Sequence, residues 1–180
     1  MEALFRMGYG GYALERTRKR FSGMVNIPGY TTLFEGWGIG KDGFGGGTTN
    51  HAWSGGAQTV IAEYLCGIAP LEAAYKTFLI EPCPATFASA AISVPTVQGL
   101  IGSSFKNSSE GFTMKVNIPK GTTAIVRLPE DASAMVGING KAPGKLQEAD
   151  PAWHKDGYTA FKLLPGEYVV TRSKALSCLF

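Results

Sequence analysis

The chain is organised around two motifs, Gly29-Tyr-Thr-Thr-Leu-Phe-Glu-Gly-Trp37 and Thr48-Thr-Asn-His-Ala-Trp53, which flank a glycine-rich span. Together they hold two of the three tryptophans, one of the two histidines and the carboxylate of Glu35. Glycine loses more backbone freedom on folding than any other residue, so a run of glycines suits a sharp turn or a close approach to a ligand. An apolar wall with a few placed polar groups is the usual form of a ligand site.

The same residues allow a functional and a purely structural interpretation. Aromatic faces beside one carboxylate and one imidazole suit sugar recognition, because the rings cover the apolar face of a sugar while the polar groups bind its hydroxyls. The alternative is that the glycine-rich span is a long connection and that Glu35 is solvated. The spacing of residues alone leaves both interpretations open.

Composition excludes several classes of protein. The chain has 180 residues, a net charge of +3 and 44% hydrophobic residues, which is ordinary for a globular protein. The one basic run, Arg16–Arg20, lacks interleaved aromatic residues and is interpreted as a solvated helix face rather than a nucleic-acid site. No apolar stretch reaches the roughly 18 residues that span a membrane. Neither a nucleic acid nor a membrane is therefore expected as a partner.

Periodicity divides the chain into a helical part and a strand-rich part. Helices are predicted at the N-terminus up to Met7, over Tyr12–Phe21 with Gly23 as a stop, and over Trp53–Cys66 with Gly67 as a stop. Strands are predicted in the remainder because β-branched and aromatic runs alternate with turn residues. The predicted strands are Tyr75–Ile80, Phe87–Val94, Leu100–Lys106, Gly111–Ile118, Thr122–Leu128, Ala134–Ile138, Tyr158–Leu163 and Glu167–Arg172.

The three cysteines, Cys66, Cys83 and Cys178, have no metal-ligand spacing, and their odd number argues against a disulfide framework. Free buried thiols are the expectation. No metal site is predicted, because the cysteines lack the spacing of metal ligands. No cofactor is predicted, because the glycine-rich span lacks the Gly-Lys-Ser/Thr ending of a phosphate loop.

The two motifs resemble those of a known enzyme family. Thr31-Thr-Leu-Phe-Glu-Gly-Trp37 and Asn50-His-Ala-Trp-Ser-Gly-Gly56 are similar to the Thr-Thr-x-Trp-Glu and Asn-His motifs of bacterial α-L-rhamnosidases, glycoside hydrolase family 78. One departure is visible, since Phe34 stands where the family usually has tryptophan and so lacks an indole N–H. The resemblance extends from about Leu4 to about Val170 and includes Tyr64–Ile68, Tyr75–Pro82, Val116–Pro119 and Ala124–Pro129.

The resemblance implies an α+β chain in two parts. Residues 1–70 would be the C-terminal helices of an (α/α)6 catalytic barrel, and residues 71–180 an antiparallel β-sandwich. Three helices cannot bury their apolar faces alone. The chain is therefore expected to be a C-terminal fragment whose missing partner is the upstream barrel of the same protein, or to self-associate through the open barrel face.

The resemblance also implies roles for individual residues. Glu35 would be the general base of an inverting glycosidase, which activates a water against the sugar. His51 would hydrogen-bond a rhamnose hydroxyl, and Asn50, Trp37 and Trp53 are further candidates for substrate binding. The structural alternative for His51 is capping of the helix that begins near Trp53.

No segment of residues 1–28 resembles the family's general-acid motif. The chain is therefore predicted to carry at most half of the catalytic pair and to be inactive alone, while the whole enzyme would remove terminal rhamnose from glycans or glycosides. By resemblance, the parent protein is expected in the periplasm or outside the cell. The alternative function is a non-catalytic carbohydrate-binding or structural β-sandwich module.

Overall fold

A computed structural model of the chain describes residues 1–37, 47–143 and 156–177. The chain divides into two compact units, Met1–Ile61 and Ala62–Phe180. Residues 38–46 of the glycine-rich span and Cys178 lie outside the described residues.

The first unit begins with two helices, α1 (Glu2–Arg6) and α2 (Gly10–Val25). Helix α2 buries one side, with Ala13, Leu14, Thr17 and Met24 at the three- and four-residue spacing of a helix face. The prediction that Gly23 stops this helix is wrong, because the helix continues to Val25. An isolated glycine costs only about 1 kcal/mol in a helix, and burial of Met24 beyond it offsets that cost.

The third helical span changes pitch along its length. A 3-10 turn (Ala52–Gly55) leads into α3 (Gly56–Val60) and then into a π-helical turn (Ile61–Leu65). Gly67 follows with φ +78, the left-handed conformation that glycine adopts at little cost. The predicted stop at Gly67 is thus confirmed.

In the described residues of the second unit there are nine strands. Their bounds are β1 (Ile68–Pro70), β2 (Thr77–Ile80), β3 (Ser89–Thr96), β4 (Gly99–Ser108), β5 (Gly111–Ile118), β6 (Thr123–Pro129), β7 (Val136–Ile138), β8 (Tyr158–Leu163) and β9 (Gly166–Arg172). A four-stranded sheet has the order β1-β2-β6-β8, and a five-stranded sheet has the order β3-β4-β5-β9-β7. The two sheets form a β-sandwich.

Alternation of side chains places the core between these sheets. In β5, Phe112, Met114, Val116 and Ile118 are buried while Lys115 and Asn117 are exposed. This is the period of two expected for a strand with one face on a core. The description of the sandwich as antiparallel needs one correction, because β2 pairs with β6 in parallel, Thr77 opposite Thr123.

The strand predictions differ in how well their bounds agree with the structure. The predicted bounds of β5 and β8 are those observed. Strand β1 was missed because it has only three residues and ends in proline. Tyr75, predicted to begin a strand, instead has φ +56 in a 3-10 turn, Ala73–Tyr75.

The cysteines differ in state. Cys66 is a free, fully buried thiol, as expected. Cys83 is disulfide-bonded, so the expectation of free thiols is wrong at that position. An odd number of cysteines leaves at least one thiol free but does not prevent the others from pairing.

Candidate functional site

Backbone hydrogen bonds bring the two motifs side by side in the first unit. The N–H of Glu35 donates to the carbonyl of Thr48 at 2.9 Å, and the N–H of His51 donates to the carbonyl of Leu33 at 2.9 Å. The Thr32 hydroxyl adds a third link by donating to the carbonyl of Thr49. The predicted base and the predicted sugar-contacting histidine therefore lie on neighbouring, mutually bonded segments.

Glu35 is held at its backbone and at one carboxylate oxygen. The N–H of Thr48 donates to Glu35 Oε2 at 2.8 Å, so these two residues bond each other reciprocally. The indole Nε1–H of Trp53 donates to the Glu35 carbonyl at 3.0 Å. Among the described residues no hydrogen bond reaches Glu35 Oε1. The half-buried carboxylate is thus oriented on one oxygen while the other oxygen is open to a water or a ligand.

His51 lies at the N-cap position of the 3-10 turn without capping it through its side chain. The side-chain capping alternative is therefore wrong. Its ring packs against that of Trp53 with centroids 4.2 Å apart and planes tilted by 33°. The buried Nδ1 has no hydrogen-bond partner among the described residues. Leaving a buried polar atom without a partner costs about 1–3 kcal/mol. A ligand group that bonded His51 Nδ1 would remove this cost.

The two tryptophans of the motifs have different surroundings. Trp53 exposes 67% of its surface, but its indole N–H is already bonded to Glu35. Trp37 exposes 55% and packs edge-on against Phe21 with centroids 4.8 Å apart. Trp37 lines a groove of about 690 Å³ together with Arg16 and Arg20, and Glu35 is not among the lining residues. Trp53 thus contacts the backbone of Glu35, whereas Trp37 faces α2.

Phe34 and Asn50 complete the predicted set. Phe34 is fully buried, stacks edge-on against Tyr30 at 5.0 Å and donates its N–H to Met24 Sδ at 3.0 Å. Phe34 therefore packs in the core and fixes the backbone next to Glu35. The side chain of Asn50 is exposed and makes no hydrogen bond within the described ranges, while its carbonyl accepts from Thr48 Oγ1 at 3.1 Å.

Three supporting residues were missed by sequence reasoning. Thr48 bonds the Glu35 carboxylate, Thr32 ties the two segments, and the Ser54 hydroxyl donates to the Phe34 carbonyl. All three lie within or beside the recognised motifs, so motif membership was a usable signal. Their partners depend on the register between two segments, which the sequence does not state.

Two features are absent from the parts of the chain that the structure describes. No group of three or more His, Cys, Asp or Glu side chains is placed to hold a metal ion. Within the same residues no helix is both long enough and apolar enough to cross a membrane.

Comparison with known proteins finds similarity to one family, and the matched family domain lies in the strand-rich part of the chain. Residues 67–142 match the bacterial alpha-L-rhamnosidase C-terminal domain. Over 117 residues, 62% of this chain, the sequence is 32% identical to an alpha-L-rhamnosidase of Formosa agariphila, of which the match covers 13%.

Solved structures agree on the fold. An α-L-rhamnosidase from Dictyoglumus thermophilum matches with a TM-score of 0.73 and 20% identity over 96% of this chain and 20% of that chain. The Streptomyces avermitilis α-L-rhamnosidase, solved with L-rhamnose, matches with a TM-score of 0.61 and 24% identity over 89% of this chain and 14% of that chain. The α-L-rhamnosidase from Aspergillus terreus matches with a TM-score of 0.55 and 17% identity over 86% of this chain and 15% of that chain.

Residues 67–142 of the strand-rich unit are therefore similar to a C-terminal domain of bacterial α-L-rhamnosidases. The resemblance of the chain to this family is confirmed. The chain spans between 13% and 20% of the lengths of the Formosa and Dictyoglumus relatives.

Proposed function

We propose that this chain supplies the C-terminal part of an α-L-rhamnosidase-like, inverting glycoside hydrolase that removes terminal rhamnose from glycans or glycosides. The observation that carries this proposal is the paired arrangement of the two motifs. Glu35 is oriented by Thr48, and on the adjoining segment the Nδ1 of His51 has no hydrogen-bond partner in the described part of the chain. Residues 1–70 would contribute to an (α/α)6 barrel, and residues 71–180 would form the sandwich that follows it.

In the proposed reaction Glu35 acts as the general base. With Oε2 held by the Thr48 N–H, Oε1 would accept a proton from a water as that water attacks the anomeric carbon. The glycosidic bond breaks on the opposite face, and the leaving oxygen takes a proton from a carboxylic acid. In inverting enzymes the two carboxyl groups lie about 6.5–9.5 Å apart to accommodate the water. The acid would come from outside this chain.

The sugar contacts follow from the same arrangement. His51 Nδ1 would bond a rhamnose hydroxyl and thereby satisfy a buried atom that has no partner among the described residues. The exposed Asn50 amide would bind a second hydroxyl, and the Trp53 ring beside His51 would form a wall. Trp37 stays a weaker candidate, because its groove faces α2.

Exposed apolar side chains support the assignment of the first unit to a larger helical assembly. Met7, Tyr9, Tyr12 and Val25 each expose more than half of their surface along α1 and α2. Exposed apolar patches mark sites of contact. The upstream barrel helices, or a second copy of the chain, would cover them.

Rhamnose binding to the 180-residue chain tests the proposal. In an NMR titration with L-rhamnose, the amide signals of Glu35, Asn50 and His51 should shift, and His51→Ala should remove the response. Glu15→Gln, which changes an exposed carboxylate on α2, is the matched control and should leave it unchanged. Absence of any shift in this segment at saturating L-rhamnose would contradict the proposal.

Activity gives the second test. The purified chain should not hydrolyse an aryl α-L-rhamnoside, because half of the acid–base pair is missing. In a protein that also supplies the acid, Glu35→Gln should lower kcat by about 10²–10⁴-fold with little change in KM. Turnover by the 180-residue chain at the rate of a complete enzyme would exclude the proposed division of the catalytic pair.

A further inference from the structure

The outer face of the five-stranded sheet carries a concave polar surface far along the chain from the proposed catalytic residues. Strand pairing sets Ser93, Gly102, Asn117 and Glu167 in one cross-strand row, since Ser93 lies opposite Gly102, Gly102 opposite Asn117 and Asn117 opposite Glu167. The neighbouring row is Ala91, Ser104, Lys115 and Val169. On β4 and β5 the members of these rows alternate with buried side chains of the core, and on β3 they alternate with half-buried ones, so both rows point outward.

Side-chain size makes this face a groove. The members of the two rows on β3 and β4 are small, namely alanine, serine and glycine, whereas those on β5 and β9 are long. The small residues form a floor, and Lys115, Asn117 and Glu167 form a wall along it. The groove has a volume of about 700 Å³, within the range of about 300–1,000 Å³ typical of ligand sites.

The polar groups of the wall are available to a ligand. The side chains of Lys115 and Glu167 form no hydrogen bond or ion pair with any residue in the described ranges. Asn117 uses its Nδ2 to donate to the Leu100 carbonyl at 2.9 Å, which fixes the amide and turns Oδ1 away from that bond. The wall thus presents an ammonium donor, a carboxylate acceptor and an oriented amide oxygen.

We propose that this groove binds a neutral oligosaccharide laid along β3 and β4. Each sugar hydroxyl can both donate and accept a hydrogen bond. It therefore suits a wall in which the Lys115 ammonium donates and the Glu167 carboxylate accepts, within two residues of each other on paired strands. A polyanion such as a nucleic acid or a uronic acid chain would meet the Glu167 carboxylate. Val169, 37% exposed beside Lys115, offers an apolar contact for the C–H face or methyl group of a sugar ring.

The proposal is independent of the catalytic assignment of Glu35. Its ligand would be held by the sandwich, so a glycan chain could be retained whether or not the helical unit catalyses. It also gives the carbohydrate-binding alternative a specific location, on one face of one sheet.

Titration of the full 180-residue chain with a trisaccharide of α-linked L-rhamnose tests the groove. The amide signals of Ser93, Gly102, Ser104 and Lys115 should shift together and give one dissociation constant. A trimer of galacturonic acid serves as the anionic comparison and should bind at least about tenfold more weakly.

Gly102→Val is designed to block the floor without disturbing the fold. A Cβ added at Gly102 would meet only the Asn117 Cβ at 3.4 Å, an ordinary contact, and valine suits a strand. Binding should be lost in this variant. Lys115→Ala and Glu167→Gln should each weaken binding about tenfold or more, as expected for hydrogen bonds to charged groups. Lys106→Ala removes an exposed lysine outside the groove and should have no effect.

Three outcomes would overturn the proposal. These are no shift with the rhamnose trimer up to about 10 mM, binding that survives Gly102→Val, and shifts confined to the segments of Glu35 and His51. The last of these would support the proposed catalytic site while excluding the groove. Shifts confined to the groove would support the groove while excluding the proposed catalytic site.

Discussion

Gly67 is the residue at which the helical span gives way to the first strand. Its φ is +78, and a Cβ at this position would lie 2.2 Å from the carbonyl carbon of Glu81. Because that neighbour is backbone, it cannot move aside without breaking the hydrogen bond from the Glu81 N–H to the Gly67 carbonyl. Gly67 is therefore required both for its backbone angle and for its lack of a side chain.

Substitution separates these two requirements. Gly67→Ala should lower the free energy of unfolding by about 3 kcal/mol or more. Gly140→Ala is the control, since Gly140 has a similar φ of +74 with nothing within 4 Å. It should cost only about 1 kcal/mol. Urea denaturation of both variants measures the difference, and equal losses would show that steric overlap at Gly67 is unimportant.

Cys66, the adjacent residue, is expected to be chemically inert in the folded chain. Burial raises the pKa of its thiol from 9.0 to about 11, and only the thiolate is an effective nucleophile. Iodoacetamide at pH 8 should leave Cys66 unmodified in the native protein and modify it in guanidinium chloride, as measured by mass spectrometry. Rapid labelling of the native protein would contradict the burial of this thiol.

The same shift gives a pH dependence of stability. The folded-state pKa of Cys66 lies above the unfolded value, so the folded chain holds the proton more tightly. Its contribution to stability is present below about pH 9 and is lost as the pH rises toward 11. In Cys66→Ala, part of the decline in thermal stability between these pH values should disappear, which thermal melts would measure.

At the scale of elements, the segment after β9 is held mainly by side chains, apart from the hydrogen bond of the Ser173 N–H to the Met135 carbonyl at 2.9 Å. The buried guanidinium of Arg172 donates to the carbonyls of Lys174 and Ala175 and pairs with Asp131 at 3.3 Å. Asn107 donates to the Leu176 carbonyl at 3.0 Å and accepts from the Leu176 N–H at 2.7 Å. The tail therefore depends on a few distant polar residues.

Arg172→Leu should release this segment. Removing the guanidinium leaves the carbonyls of Lys174 and Ala175 without the donor they share, and amides of residues 174–176 should exchange with solvent much faster. Lys174→Ala is the matched control, because Lys174 reaches the same Asp131 carboxylate at 3.8 Å from an exposed position. An exposed pair contributes little, so exchange in the control should stay close to that of the native chain.

Asp131 makes the stability of the same cluster depend on pH in the acidic range. Its pKa is lowered chiefly by the hydrogen bonds from the Ser133 hydroxyl and the Ser133 N–H, and further by Lys174 and Arg172. A depressed carboxyl pKa stabilises the fold above the unfolded value and loses that effect as the pH falls through the folded value. Ser133→Ala should raise the Asp131 pKa toward its usual 3.8, as followed by carboxyl carbon NMR. An unchanged pKa would assign the shift to the Ser133 N–H and the two cations instead.

These elements show how far sequence patterns extend. Strict alternation predicted β5 with its bounds, because a strand with one buried face repeats every two residues. No periodic signal marks the tail, whose bond between Asn107 and Leu176 joins residues 69 apart. The site shows the same division. The motifs predicted Glu35 and His51, but the Thr48 bond to the Glu35 carboxylate depends on a cross-segment register that only the fold supplies.

At the scale of the whole molecule, the two units differ in how they bury apolar surface. The sandwich encloses a continuous set of buried side chains, including Phe78, Ile101, Phe112 and Val126. In the first unit large apolar side chains remain exposed along the helices, Met7 at 67% and Tyr12 at 55%. Large apolar side chains are exposed in the sandwich as well, Val97 at 83% and Met135 at 78%. The units differ in their cores, because most of the buried apolar side chains in the described residues lie in the sandwich, and the helical unit buries fewer.

This asymmetry predicts concentration-dependent self-association of the chain through its helical unit. Apolar burial contributes about 25 cal/mol per Å², so covering the exposed side chains of α1 and α2 favours a second copy when no other helices are present. Light scattering should show an average mass that rises with concentration. The double variant Met7→Ser, Tyr12→Ser should remain monomeric to higher concentration, because it takes two apolar side chains from that surface. Val97→Ser, Leu100→Ser takes two exposed apolar side chains from the sandwich instead and serves as the control. If the control variant alone abolished association, the contact would belong to the sandwich, and the open-barrel explanation would fail.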